Sequence, residues 1–111
     1  MTRPTPREAP ILHAVREAVN RDGRARLLRN QVGYDAERHV RYGLGVGSAD
    51  LVGVLRGGRC FAIEVKAPKG RVSPYQEQWI RRINQAGGIA FVARSPQDVI
   101  EKLGVKERFL C

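Results

Sequence analysis

The chain has 111 residues, 42% of them hydrophobic, and carries 20 Lys and Arg against 11 Asp and Glu, a formal charge of +9. Its apolar runs are short and broken by Arg, Asp or Gly, which excludes a membrane-spanning helix and a secretory core segment, and two cysteines make neither a disulfide framework nor a zinc cluster. These bounds predict one α/β domain over residues 1–111, soluble and intracellular, with free thiols at Cys60 and Cys111 and a polyanionic partner; arginine outnumbers lysine and forks onto phosphate oxygens, so nucleic acid suits the charge better than a membrane surface.

Residues 1–5 read as a loose tail. Ile11, Leu12, Val15 and Val19 recur at spacings of three and four, the apolar stripe of a first helix that ends near Asp22-Gly23. Its start has two readings: Thr5-Pro6-Arg7-Glu8 has capping-box form, whereas Pro10 would then remove a hydrogen bond in the second turn and suits a helix that begins there. Residues 25–32, ARLLRNQV, predict a short strand. The polar and glycine-rich connection after them leaves room for strand residues near His39 to Tyr42. SADLVGVLRGGRCFAIEVK, residues 48–66, follows as two strands joined by a glycine turn. Ser73 as cap, Pro74 in the first helical position and Gln76 as the capping-box partner open a second helix, which Gly87-Gly88 stops. IAFVA at 89–93 reads as a buried strand, and Ser95-Pro96-Gln97-Asp98 opens a last short helix with Val99, Ile100 and Leu103. The order α β β β α β α describes a mixed central sheet flanked by helices.

The hairpin carries charge where a core hairpin should not. Alternate strand residues share a face, so Glu64 and Lys66 point one way and Phe61, Ile63 and Val65 the other. Register decides whether Asp50 joins them. A two-residue turn at Gly57-Gly58 places Asp50 opposite Val65, on the wrong face; a three-residue loop, Arg56-Gly57-Gly58, places it opposite Glu64 and needs a left-handed residue that glycine supplies. Directly opposed carboxylates about 5 Å apart repel unless a cation lies between them, and carboxylate plus backbone oxygens, such as the Val65 carbonyl, suit Mg²⁺ or Mn²⁺. Lys66 could then orient or deprotonate the attacking water and stabilise transition-state charge. The alternative is an exposed Glu64–Lys66 pair on an edge strand, with Asp50 capping a turn.

Gly47-Ser48-Ala49-Asp50, then Glu64-Val65-Lys66, then Ser73-Pro74 with Gln76 and Trp79, then Ala86-Gly87-Gly88 before an apolar strand and Arg94-Ser95, form an ordered set. It resembles the PD-(D/E)XK nuclease superfamily and, within it, the virus-type replication-repair nuclease (VRR-NUC) domain, over roughly residues 8–103. Ala49 stands where the superfamily's proline would. The resemblance implies a restriction-endonuclease-like fold, metal ligation by Asp50 and Glu64, an acid on the first helix, and functional residues at Lys66 and Gln76. At about 100° per residue Glu8 falls within the arc of Ile11, Leu12, Val15 and Val19 while Glu17 faces solvent, so Glu8 is the helix acid, directly or through water; helix capping explains it too. Capping likewise explains Gln76.

The resulting expectation is a Mg²⁺- or Mn²⁺-dependent endonuclease acting on structured DNA in replication, repair or recombination. Stand-alone members of this size resemble homodimeric phage enzymes that cut four-way (Holliday) junctions, which points to the cytoplasm of a phage-carrying bacterial host. The competing readings are a flap or nonspecific nuclease and a non-catalytic nucleic-acid-binding module. Arg29, Arg41, Tyr42 and Arg71 are candidates to hold the phosphodiester strand, against the default of a solvated basic edge. Trp79 sits in an apolar stripe and reads as core, and His13 and His39 have no nucleophile to serve.

Overall fold

Three helices and six strands make up the computed structural model, which describes residues 7–23 and 25–103. In chain order they are α1 (Ala9–Asp22), β1 (Ala25–Arg29), β2 (Gly33–Asp35), β3 (Val40–Tyr42), β4 (Leu51–Leu55), β5 (Cys60–Val65), α2 (Pro74–Gln85), β6 (Ile89–Ala93) and α3 (Pro96–Leu103). The main sheet runs β1-β4-β5-β6, antiparallel except for the parallel β5–β6 pair that α2 bridges. Without the β2–β3 ribbon the order is the expected α β β β α β α. The tail expected at 1–5 and Cys111 lie outside the described residues.

Alternation divides the sheet into two faces. Leu27, Leu51, Phe61, Ile63, Val65 and Ala93 join Leu12, Val15 and Val19 of α1 and Val99 of α3 in the larger core. On the other face Ala49, Ala62 and Ala90 are small enough for α2 to lie close, with Trp79, Ile80 and Ile83 packed on them, so Trp79 is partly buried against this cluster. One asparagine from each flanking helix fastens an outer strand. Asn20 of α1 exchanges hydrogen bonds with the backbone N–H and C=O of Leu27 (2.7 and 2.9 Å), and Asn84 of α2 does the same with Ala90 (both 2.9 Å). Outer strands leave backbone groups without a ladder partner, and here the two side-chain amides supply one.

The element boundaries follow the expected signals with three differences. Helix α1 begins at Ala9, with Pro10 in its second position, where a missing N–H costs no intrahelical bond. Glu8 occupies the cap position with helical φ/ψ and makes no side-chain cap hydrogen bond. Strand β1 stops at Arg29, short of the 25–32 expected; Asn30 N–H still bonds Asp50 C=O, while its side chain goes to a loop described below. The polar connection contains a second, exposed two-stranded ribbon, β2–β3, pairing Gly33 with Tyr42 and Asp35 with Val40. No described helix is long and apolar enough to cross a membrane.

Candidate active site

The β4–β5 hairpin closes through the three-residue loop Arg56-Gly57-Gly58. Leu55 N–H bonds Arg59 C=O at 2.8 Å, Gly58 N–H bonds Leu55 C=O at 2.9 Å, and both glycines sit at positive φ (98° and 90°). The ladder therefore runs Val54↔Cys60 to Leu51↔Ile63, and its next step sets Asp50 across from Glu64. A two-residue turn would have turned Asp50 onto the α1 face. Asp50 Oδ2 instead accepts from Val65 N–H at 2.9 Å, so Val65 meets Asp50 through its amide.

Glu64 is 3% exposed, on the face that α2 covers. Its Oε2 accepts from Gln76 Nε2 at 2.7 Å and lies 3.6 Å from Lys66 Nζ. Its Oε1 is buried without a hydrogen-bond partner. Burial, then the Asp50 charge, push the Glu64 carboxyl up to about 8; Lys66 and the Asp50 N–H offset this in part and Glu8 adds to it. Asp50 is raised as well, first by burial and also by Glu8, against the Val65 N–H, Lys66 and Arg29. Burial and mutual repulsion thus make two negative charges costly at this pair. Glu8 is buried, its charge acts on both, and its Oε2 lies 3.4 Å from where a Cβ on Gly70 would stand. Glu17 is exposed and pairs with Arg21.

Gln76 caps its helix and also reaches Glu64. Its Oε1 accepts from Ser73 N–H at 2.9 Å while Gln76 N–H donates to Ser73 Oγ at 3.2 Å, the reciprocal capping box, and its amide nitrogen remains free to reach Glu64.

A cleft of about 490 Å³ opens beside these groups, lined by Val32, Val46–Ser48, Asp50, Lys66, Arg71, Ser73, Tyr75 and Gln76. Arg71 is therefore at the site, and Arg29 is close enough for its charge to act on Asp50. Arg41 and Tyr42 lie apart on the exposed ribbon, with the Arg41 guanidinium 5.7 Å from the Tyr34 ring centre.

Two residues that hold the site have no role assigned from the sequence, although Arg94 stands in the ordered set above. Asn30 Nδ2 donates to Ser48 Oγ and Ala49 C=O, both at 2.8 Å, its Oδ1 accepts from Leu44 N–H at 3.2 Å, and its N–H bonds Asp50 C=O at 2.7 Å; it clamps the approach to Asp50. Arg94 Nη1 donates to the carbonyls of Ala67 (2.5 Å), Pro68 (3.3 Å) and Gly70 (2.9 Å), fixing the turn after Lys66. Their partners lie 14 to 27 positions away, beyond any spacing rule.

Asp50 and Glu64 with a backbone oxygen are hard donors, and an orphaned buried carboxylate oxygen is what a hard cation would satisfy, so the residues fit Mg²⁺ or Mn²⁺. Among the described residues no three His, Cys, Asp or Glu side chains form a ready-made cage; magnesium, which keeps most of its waters, needs none. The family model described as the VRR-NUC domain matches residues 8–97. No curated protein matches the chain.

Proposed function

We propose, starting from the fact that the chain belongs to the VRR-NUC domain family, that it is a divalent-metal-dependent endonuclease hydrolysing phosphodiester bonds in branched DNA, four-way junctions foremost. Membership gives a nuclease domain with DNA as substrate; the metal, the junction and a homodimer are our reading of this chain. The observation that carries it is Glu64, a buried carboxylate facing Asp50 with one oxygen unpartnered. Asp50, Glu64 and the Val65 carbonyl would hold the ion, with Glu8 reaching it through water. When bound, Mg²⁺ or Mn²⁺ supplies Lewis-acid neutralisation of phosphate charge and a lowered pKa for water.

The chain's own groups do the rest. Hydrolysis forms a bond from a water oxygen to phosphorus and breaks one phosphorus–oxygen ester bond, whose leaving oxygen takes up a proton. Gln76 and Lys66 both act on Oε2 of Glu64, so Oε1 is the oxygen that would be offered to an ion. Lys66 places N–H donors where the attacking water and the charge on the phosphoryl oxygens develop. Arg71 holds the neighbouring phosphate. A small domain has little surface for reading base edges, which favours shape over sequence. Leu28 and Val54, exposed on the sheet face beyond α2, offer apolar surface for a second copy, and two-fold symmetry would present two sites to opposed strands of a junction.

A gel assay comparing a four-way junction, a flap and plain duplex, with and without Mg²⁺, tests this. The junction is cut only with metal, and Glu64→Gln and Lys66→Met each lose at least about 10²-fold in rate, the scale of one transition-state electrostatic contact. Near-normal Mg²⁺-dependent cleavage by Glu64→Gln would overturn the assignment, and a flap cut faster than the junction would move the substrate.

A further inference from the structure

We propose, resting on the nuclease reading, that the cleft beside Asp50 takes up one unstacked nucleotide of the DNA, so that the substrate must present an unpaired or easily extruded base next to the cleaved bond. The cleft has two kinds of lining. Lys66 and Arg71 give a cationic side suited to a phosphate, whereas Val32, Val46 and Tyr75 give an apolar one that a phosphate cannot use.

The apolar side is built and held in place. Tyr75 is 67% exposed in the second position of α2, and Val46 is 58% exposed on the loop that leads to Asp50, where Leu44, outside the cleft lining, is exposed as well. That loop is pinned. Asn30 accepts from Leu44 N–H, and Ser48 donates its Oγ to Gly45 C=O at 2.6 Å and its N–H to the same oxygen at 3.2 Å. Gly47, at φ +83°, lies so close to α2 that a Cβ there would stand 2.6 Å from the Tyr75 carbonyl oxygen. The fold thus spends hydrogen bonds on keeping apolar side chains in water around a cleft whose other lining attracts phosphate. A nucleotide has both surfaces, a charged phosphate and a π-faced base.

The cleft volume is within the range of small-ligand sites, about 300–1,000 Å³. A base inside a duplex has no free face for Tyr75, so the strand must expose one; extrusion costs a few kcal/mol from a duplex and least where pairing is already broken, as at a branch point. Ser48 Oγ both donates and accepts within the protein and Ser73 Oγ accepts from Gln76 N–H, so stacking on Tyr75 is the main contact offered to a base, which makes the subsite tolerant of base identity.

The test uses the full chain in EDTA, which prevents cleavage, and DNA with 2-aminopurine either as a one-nucleotide bulge or within continuous duplex. Wild type quenches the bulged probe and prefers it to duplex. Tyr75→Ala abolishes the quenching and binds the bulge about 5- to 100-fold more weakly, the worth of one base–aromatic stack, with a much smaller change on duplex. Tyr75→Phe, which keeps the ring, restores quenching. Absence of preference in wild type, or equal weakening on both probes by Tyr75→Ala, would overturn the proposal. A parallel arm with Mg²⁺ and Glu64→Gln separates the two readings: quenching without any metal-dependent cleavage overturns the nuclease reading and leaves the nucleotide subsite standing.

Discussion

Gln76 donates its side-chain amide to Glu64 Oε2 at 2.7 Å while the carbonyl oxygen of the same side chain caps α2 at Ser73. One residue therefore ties a helix start to the acid on the neighbouring strand, and the two duties can be separated. Gln76→Glu keeps the capping acceptor but replaces the donor to Glu64 by a further carboxylate. We expect little change in urea stability near pH 6 and a 10- to 100-fold loss in metal affinity, the usual scale for a residue that orients a metal ligand. Ser73→Ala should instead cost about 1 kcal/mol of stability by removing the cap. Equal metal affinity in Gln76→Glu and wild type, by calorimetry with Mn²⁺, would show the contact to be structural only.

The pH dependence of stability in the absence of metal has a definite sign. The Glu64 carboxyl moves from 4.5 to about 8 on folding, so between those values the folded chain binds more protons than the unfolded one. Stability is then full below pH 4.5 and falls as pH rises through about 8; Asp50, also raised, acts in the same sense. Mg²⁺ requires ionised carboxylates, so its stabilisation grows over the same interval. Melting curves in EDTA and in Mg²⁺ from pH 5 to 8.5 should converge at the acid end and separate at the basic end. Glu64→Gln should flatten the EDTA curve, and an unchanged slope in that variant would sink the idea.

Asn30 should matter more than its half-exposed position suggests. Asn30→Asp keeps the shape but loses both donors to Ser48 Oγ and Ala49 C=O. The expected cost is about 1–3 kcal/mol in urea unfolding, the range for buried groups left unpaired, along with weaker Mn²⁺ binding because Asp50 follows directly in the chain. A variant that lost stability but bound Mn²⁺ as wild type would limit Asn30 to the fold.

DNA affinity should fall steeply with salt, with a log–log slope of about −0.9 per phosphate neutralised. Arg71→Ala should weaken binding across sequences and reduce that slope by about one, as loss of a single phosphate contact does. If the slope of Arg71→Ala equalled that of wild type, its place in the cleft would have no bearing on the strand.

The hairpin register was legible because a loop of three residues with two glycines admits few closures, and only one puts Asp50 on the face of Glu64. The second helix was legible at both ends for a similar reason: Ser73, Pro74 and Gln76 act on backbone groups within one turn. What escaped were contacts between distant positions. Nothing near Asn30 or Arg94 marks them as clamps, since their partners are mostly carbonyls, and every residue but proline brings a similar one. Of the ribbon, β3 matches the strand residues expected near His39 to Tyr42, while β2 and its pairing escaped because these residues bury little, with Tyr34, Val40 and Tyr42 all exposed. Glu8 was placed correctly by helical angle, yet its capping role was not observed: the chain enters α1 in helical conformation, which turns the side chain toward Gly70.

The three carbonyls gathered by Arg94 bear on how the molecule opens. Arg94 follows β6 directly, and β6 with α3 is the last part of the described chain to join the sheet, through a parallel pairing that spans α2. Transient detachment of that C-terminal unit would release the turn at 67–70, and with it the segment that seats Lys66 and abuts Glu8. Hydrogen exchange at Lys66 and Gly70, whose amides bond Ala93 C=O and Ala67 C=O, should therefore track β6 and not the inner strand β4.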